Sequence, residues 1–459
     1  MPYDADPSDN YAPIHSEQDL PNLPVIGELP KALAGTLFRN GPNPQFAPID
    51  PAQHHWFSGD GMIHGFTLEN GRAAYRNRWV RTDKWQAEHA AGKSLLIGFG
   101  RPSPEHVDIP RTGVANTNIV WHAGRLMALE EAHQPFGMNP RTLATEGVVH
   151  FDRPMEGPFT AHPKIDPVTG ELIFFGYSAS GPLSAGMTYG TLDRAGRVTR
   201  HEAFDAPYCS MVHDFAVTDR HVLFPVLPLV GRMERAMAGQ MPYMWEPDLG
   251  GHIGVIRRDQ GVASLRWFRA EACYVYHILN AWEDGERILV DVMQYDAPPL
   301  FGRIDGREST HEETSARLVR WTLEPGTDAF RRTVLDDMAG EFPRLDDRRA
   351  GLANRFGTFA GSTRPDRELN TAVWHDFSKG QRDIFTLPDG DALSEAVFVP
   401  RGPDAPEGDG WLLTVAWRGN EQRSDLLVLD TQGVDKGPVA AVQLPDRVPF
   451  GFHGNWVGA

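Results

Sequence analysis

The stretch Asp166-Pro167-Val168-Thr169-Gly170-Glu171-Leu172-Ile173-Phe174-Phe175-Gly176-Tyr177 is a turn running into a strand. Proline presets one backbone angle of the turn and glycine supplies a left-handed one. The apolar run behind them is short and rich in residues that pack on a pleated sheet. Runs of the same kind follow at His221-Val222-Leu223-Phe224, Ile288-Leu289-Val290-Asp291-Val292, Trp411-Leu412-Leu413-Thr414-Val415 and Asp425-Leu426-Leu427-Val428-Leu429. Turn clusters of Asp, Pro and Gly separate them, and each reads as one arm of a hairpin, which predicts an antiparallel all-β fold. Helical pattern is confined to 82–94 and 230–240.

Just upstream of the turn stands Thr160-Ala161-His162-Pro163. Three further histidines have comparably distinctive settings: Met211-Val212-His213-Asp214-Phe215, Tyr276-His277-Ile278-Leu279-Asn280-Ala281-Trp282 and Gly451-Phe452-His453-Gly454-Asn455-Trp456. They lie 51, 64 and 176 positions apart along the chain, most of them inside or beside apolar strand-like runs. Imidazole is the commonest metal-binding side chain, and four neutral ligands would leave the charge of a divalent ion intact. Iron, which takes more than four ligands, would keep open positions for dioxygen and substrate. Remote ligands need a fold that brings distant strands to one point. A propeller does so at its axis, whereas a sandwich does not, although no WD or kelch signature repeats here. Among the remaining histidines, His54, His55, His64, His122, His150, His201, His221 and His252 read as surface or supporting groups.

The 459 residues carry 44 Lys and Arg against 61 Asp and Glu, a formal charge of -17. Such a field repels phosphate backbones and anionic membranes, and no basic stripe counters it, so nucleic acid is not an expected partner. With 46 Gly, 37 Pro and 41% hydrophobic residues, the chain is turn-rich yet can fill a large core, and residues 1–459 are expected to form one domain. Its two cysteines, Cys209 and Cys273, exclude a disulfide framework and are expected as small buried hydrophobes in a reducing cytosol, in preference to thiolate ligands. The first twenty residues lack the pattern of an export signal, and no uncharged apolar run approaches bilayer-spanning length. A soluble cytoplasmic protein is expected.

Further motifs accompany the histidines: Phe38-Arg39-Asn40-Gly41-Pro42-Asn43-Pro44, His55-Trp56-Phe57-Ser58-Gly59-Asp60-Gly61-Met62-Ile63-His64-Gly65, Ala115-Asn116-Thr117-Asn118, Leu129-Glu130-Glu131-Ala132, Glu341-Phe342-Pro343-Arg344 and Glu395-Ala396-Val397-Phe398-Val399-Pro400-Arg401. Together they resemble the carotenoid cleavage oxygenase family, which includes apocarotenoid, lignostilbene and isoeugenol cleaving enzymes. The resemblance spans nearly the whole chain. It implies a seven-bladed β-propeller, with loops and short helices capping one face over an axial Fe(II). His162, His213, His277 and His453 would be the metal ligands, with Glu131, Glu341 and Glu395 behind them. Carboxylates in that position fix the imidazole tautomer and offset the ion's charge. Thr117 matches the position whose methyl group restricts a vacant coordination site.

The implied reaction is scission of one carbon-carbon double bond by dioxygen into two carbonyl products, on a lipophilic small molecule. Tyr243-Met244-Trp245-Glu246-Pro247 and Pro403-Asp404-Ala405-Pro406-Glu407-Gly408-Asp409-Gly410 are similar to the lignostilbene and isoeugenol branch. That branch binds and deprotonates a phenol with a Tyr and a Lys. Phe99 and Glu130 stand at the matching positions, and neither supplies such a donor. The departure favours a carotenoid or apocarotenoid, with a stilbene or phenylpropenoid as the alternative. A catalytically silent carotenoid-binding propeller, an isomerohydrolase-like protein and a zinc hydrolase complete the alternatives. A weak peripheral membrane contact through 227–244 is a further option, against packing of that segment as a cap; the oligomeric state is left open.

Overall fold

In the computed structural model the run Leu172–Tyr177 is a strand, hydrogen-bonded between Lys164–Ile165 and Gly186–Leu192, with Val198–Asp205 outermost. All four side chains from Leu172 to Phe175 are buried. Leu172 and Phe174 pack with Val120, Met127 and Leu129 on one side, while Ile173 and Phe175 pack with Phe215, Val222 and Phe224 on the other. Successive strand residues face opposite ways, so an unbroken apolar run marks a sheet covered on both faces.

Residues 10–98, 101, 103, 107–155, 157–324, 326–328, 330–364 and 368–459 are described. Among them seven such sheets form the blades of a β-propeller. The third is the one above. The second runs from Asn118–His122 through Arg125–Leu129 and Phe136–Met138 to Thr145–Val148. The fourth comprises Ala216–Val217, His221–Val226, Gly251–Arg257 and Gly261–Ala270, and the fifth Tyr274–Asp284, Arg287–Tyr295, Arg317–Leu323 and Phe330–Asp336. The sixth is Ala339–Arg344, Phe356–Ser362, Thr371–Asp376 and Gln381–Thr386. The seventh is built on Val397–Pro400, Gly410–Arg418, Arg423–Asp430 and Pro438–Gln443. Neighbouring blades are sealed by buried apolar clusters; Leu412 and Leu427 face the sixth blade, and Leu413 and Val428 face the first.

Both chain ends close the ring. Val25–Gly27 adds an outer strand to the seventh blade. In the first blade, Gly35–Pro42, Gly61–Glu69, Arg72–Trp79 and Asp19–Leu20 are joined on the axial side by Gly454–Gly458. Pairing first and last segments within one sheet removes the open edge a linear array would leave.

The helix Asp83–Ala91 starts where Thr82 accepts the Trp85 N–H at 3.2 Å and ends at Gly92 with φ 66. The segment 230–240 holds a shorter helix, Met233–Met237, which has no side-chain cap and is set between the paired strands Leu229–Gly231 and Tyr243–Trp245. This insertion caps the propeller: Leu229, Val230 and Trp245 are at most 2% exposed, while Met237 is 80% exposed. Among the described residues no helix is long and apolar enough to cross a membrane.

Closure requires one close backbone approach. A Cβ on Gly41 would lie 2.6 Å from Gly451 Cα, and one on Gly451 would lie 2.9 Å from Asn40 O. Gly41→Ala is therefore expected to cost about 1–3 kcal/mol by overpacking. Denaturant unfolding measures it; an unchanged midpoint would show that the two segments can part freely.

Candidate metal centre

Each of the four histidines reaches the axis from a different blade. His162 precedes the inner strand Lys164–Ile165 of the third blade, and His213 precedes Ala216–Val217 of the fourth. His277 lies within Tyr274–Asp284 of the fifth, and His453 stands directly before Gly454–Gly458 of the first. Only His277 is a strand residue. The inner strands of the third and fourth blades are two residues long, so their histidines sit on the loops leading in.

Their ligand atoms all lie within 4.8 Å of one another, and the residues are 5–9% exposed. His213 Nε2 is 3.0 Å from His162 Nε2 and 3.2 Å from His277 Nε2. Nitrogens about 2.1 Å from a common ion and at right angles to one another lie about 3 Å apart, which is this spacing.

The far sides of the rings show why the Nε2 atoms face inward as lone pairs. His213 Nδ1 contacts Glu131, His277 Nδ1 is 2.5 Å from Glu341 Oε2, and His453 Nδ1 is 2.8 Å from Glu395 Oε1. A carboxylate at Nδ1 holds the proton there and leaves Nε2 bare. Converging lone pairs repel, and a cation is the partner that satisfies them. His162 has no carboxylate. Burial, then the three neighbouring imidazoles, depresses its pKa well below the usual histidine range, which favours its neutral form. Burial also outweighs Glu395 at His453 and lowers it to about 4, whereas at His213 the Glu131 charge overcomes burial and pushes the pKa up. Glu395 is held at about 2: burial would raise it, but Arg344, His453 and the Gly454 N–H together prevail.

Sequence reasoning missed the partners of these groups. Tyr177 donates to Glu131 Oε2 at 2.6 Å and Tyr295 to Glu341 Oε1 at 2.9 Å. Burial, reinforced by those carboxylates, raises both phenols well above 10 and keeps them as donors. Arg344 Nη1 lies 3.1 Å from Glu395 Oε2 and donates to Gly454 O at 2.6 Å. Asp214 receives Lys164 Nζ at 2.7 Å and the Ile278 N–H at 2.9 Å, tying the loops of His213 and His162 to the strand of His277. The adjacency of Asp214 to His213 was the available signal. Phe342, next to Glu341, is held at φ 56 and stacks on His277 with centroids 5.3 Å apart. That conformation costs a bulky residue about 1–3 kcal/mol and persists only where its surroundings impose it.

A cavity of about 1180 Å³ opens over one side of the cluster, with Phe57, Leu183, Met211, Tyr276, Phe342 and Phe452 in its wall beside His213, His277 and His453. A smaller cavity of about 470 Å³ is lined by His162 together with His277 and His453. Thr117 lines the larger one; its hydroxyl bonds Asn116 Oδ1 at 3.0 Å and its carbonyl accepts the His453 N–H at 3.2 Å. Glu130 lines it too, 2.6 Å from His133 Nδ1. Phe99 lies outside the described residues. Cys209 and Cys273 are free, buried and not part of the cluster, and burial raises the Cys273 thiol to about 11.

Residues 11–458 match the family described as retinal pigment epithelial membrane protein. The chain is 40% identical to an isoeugenol monooxygenase of Pseudomonas nitroreducens over 97% of its own length and 96% of the relative's. It is 34% identical to lignostilbene-alpha,beta-dioxygenase isozyme III of Sphingomonas paucimobilis, again over 97% and 96%. The crystal structure of Pseudomonas brassicacearum lignostilbene dioxygenase superposes with a TM-score of 0.95 at 33% identity, covering 100% of this chain and 99% of that one. With that match across the same propeller, the chain belongs to the retinal pigment epithelial membrane protein family, the carotenoid cleavage oxygenases, and is an alkene-cleaving oxygenase.

Proposed function

We propose that the protein holds Fe(II) on His162, His213, His277 and His453 and cleaves the side-chain double bond of a hydroxylated aryl alkene, of phenylpropenoid or stilbene type. The convergence of four buried imidazoles beneath a large, mostly apolar cavity carries this reading. The bound iron supplies dioxygen activation beside the alkene. Everything else falls to the chain. Glu131, Glu341 and Glu395 hold the imidazole protons at Nδ1, and Tyr177, Tyr295 and Arg344 hold the carboxylates. Phe57, Phe342 and Phe452 keep the reacting space dry and limit stray oxidation. Thr117 narrows the approach to the ion.

The aryl alkene is preferred over the polyene because the relatives reported above are named for isoeugenol and lignostilbene. The opposite expectation rested on Phe99 and Glu130, neither of which supplies a donor to a phenol. Glu130 is not isolated, since His133 faces it at 2.6 Å.

Two outcomes test the reading. Glu341→Gln and Glu395→Gln are each expected to weaken iron retention about 10–100-fold, measured as metal content after dialysis against a graded chelator; full retention in both would remove the carboxylates from the metal site. Under labelled dioxygen, isoeugenol and a hydroxystilbene are expected to give label-bearing aldehydes by mass spectrometry. Cleavage of apocarotenals alone would restore the polyene, and no oxygen uptake with any of them would leave a binding protein.

A further inference from the structure

We propose that Glu130 and His133 form a proton-accepting pair on the wall of the larger cavity, binding the substrate hydroxyl through His133 Nε2. This rests on the aryl-alkene reading and names the residues that would recognise its phenol.

The two residues lie on the loop between Arg125–Leu129 and Phe136–Met138 in the second blade. The same loop turns Glu131 to His213, so adjacent carboxylates serve two purposes, one toward the metal cluster and one toward the cavity. Glu130 Oε1 lies 2.6 Å from His133 Nδ1, off the axis of a linear hydrogen bond, and Glu130 Oε2 accepts the Val114 N–H at 3.2 Å. Such contacts commonly align only when a ligand arrives. Among the described residues no hydrogen-bond partner meets His133 Nε2, and both side chains line the cavity at 26% and 12% exposure. Gly113 confines the pair from behind: a Cβ there would lie 2.2 Å from Glu130 Oε1 and 3.0 Å from His133 Cγ.

A large apolar pocket orients its ligand through a few polar groups, and an imidazole backed by a carboxylate is a base. Burial lowers the His133 pKa, the Glu130 charge more than restores it, and Arg111 opposes that rise. Arg111 itself is paired with Asp83 at 3.0 Å. The other charged groups on the cavity wall include Lys84, Arg101, Glu131 and Glu341. In the transfer the phenolic O–H bond breaks, its electron pair stays on oxygen, and the proton bonds to His133 Nε2. The phenolate then faces an imidazolium, with Glu130 on the imidazolium's far side. The carboxylate that would repel a phenolate alone becomes the group that stabilises its counter-ion.

The test uses iron-loaded enzyme, His133→Phe and Glu130→Gln, a hydroxystilbene and its methyl ether. Anaerobic absorption titration is expected to show the red-shifted phenolate band on the wild type and none on His133→Phe. The kcat/KM preference for the hydroxystilbene over the ether should fall about 10²-fold in His133→Phe. His133 accepts a proton only when neutral, so kcat/KM falls as pH drops through its raised pKa. Glu130→Gln removes the upward push and should move that acid limb to lower pH. A retained band and preference in His133→Phe, an equal loss on both substrates, or an unmoved limb in Glu130→Gln would overturn the pair while leaving the aryl-alkene reading intact. Failure of the wild type to cleave any hydroxylated aryl alkene would overturn that reading and the pair with it.

Discussion

Four imidazole nitrogens gathered within 4.8 Å of one another, with His213 only 3.0 Å from His162 and 3.2 Å from His277, are unfavourable without a cation, and the propeller is arranged to keep them there. Every blade contributes. The first, third, fourth and fifth each bring a histidine, and the second, sixth and seventh each bring the carboxylate behind one of them. No pair of adjacent blades contains the whole centre. Ring closure is therefore a condition for the site, and the segment that completes the first blade carries His453 itself. Its backbone is fastened on both sides, by Asn40 N–H to His453 O at 2.8 Å and by His453 N–H to Thr117 O at 3.2 Å.

Rigidity follows from the same arrangement. Asp214 links two histidine loops and the His277 strand through one buried carboxylate, and Arg344 links the sixth blade to Glu395 of the seventh and Gly454 of the first. These charges are costly to bury, yet each is paired and hydrogen-bonded, the condition under which burial is tolerated. The strained Phe342 backbone belongs to the same account: the residue is needed where its ring covers His277 and His453, and the surrounding sheet supplies the energy that holds it.

Some of this was legible in the sequence and some could not be. The Leu172–Tyr177, Gly410–Arg418 and Arg423–Asp430 strands were readable because blades covered on both faces leave apolar runs without alternation. The number of blades was not, since the blades share geometry without a repeated signature; seven entered only through family resemblance. The four histidines were likewise selected by resemblance and setting, out of eighteen. Tyr177 and Tyr295 escaped notice because each reaches its glutamate across 46 residues, a pairing that exists only once the blades are in place. For the contact between Glu130 and His133 the reason is local. The two stand three residues apart in an irregular loop, where helical spacing rules give no warning that the two side chains meet.

Charge explains why one histidine lacks a carboxylate. A buried cluster is least costly when its charges cancel. A divalent ion together with the Arg344 guanidinium would balance Glu131, Glu341 and Glu395, and a fourth carboxylate behind His162 would leave an uncompensated negative charge in the core. Burial and its imidazole neighbours favour the neutral form of His162 instead, and it lines the smaller cavity, not the larger one. The three carboxylate-backed rings all line the larger cavity. Electron donation to a bound ion would thus be concentrated on the ligands that line the larger cavity, and the centre presented to that cavity would be close to electrically neutral.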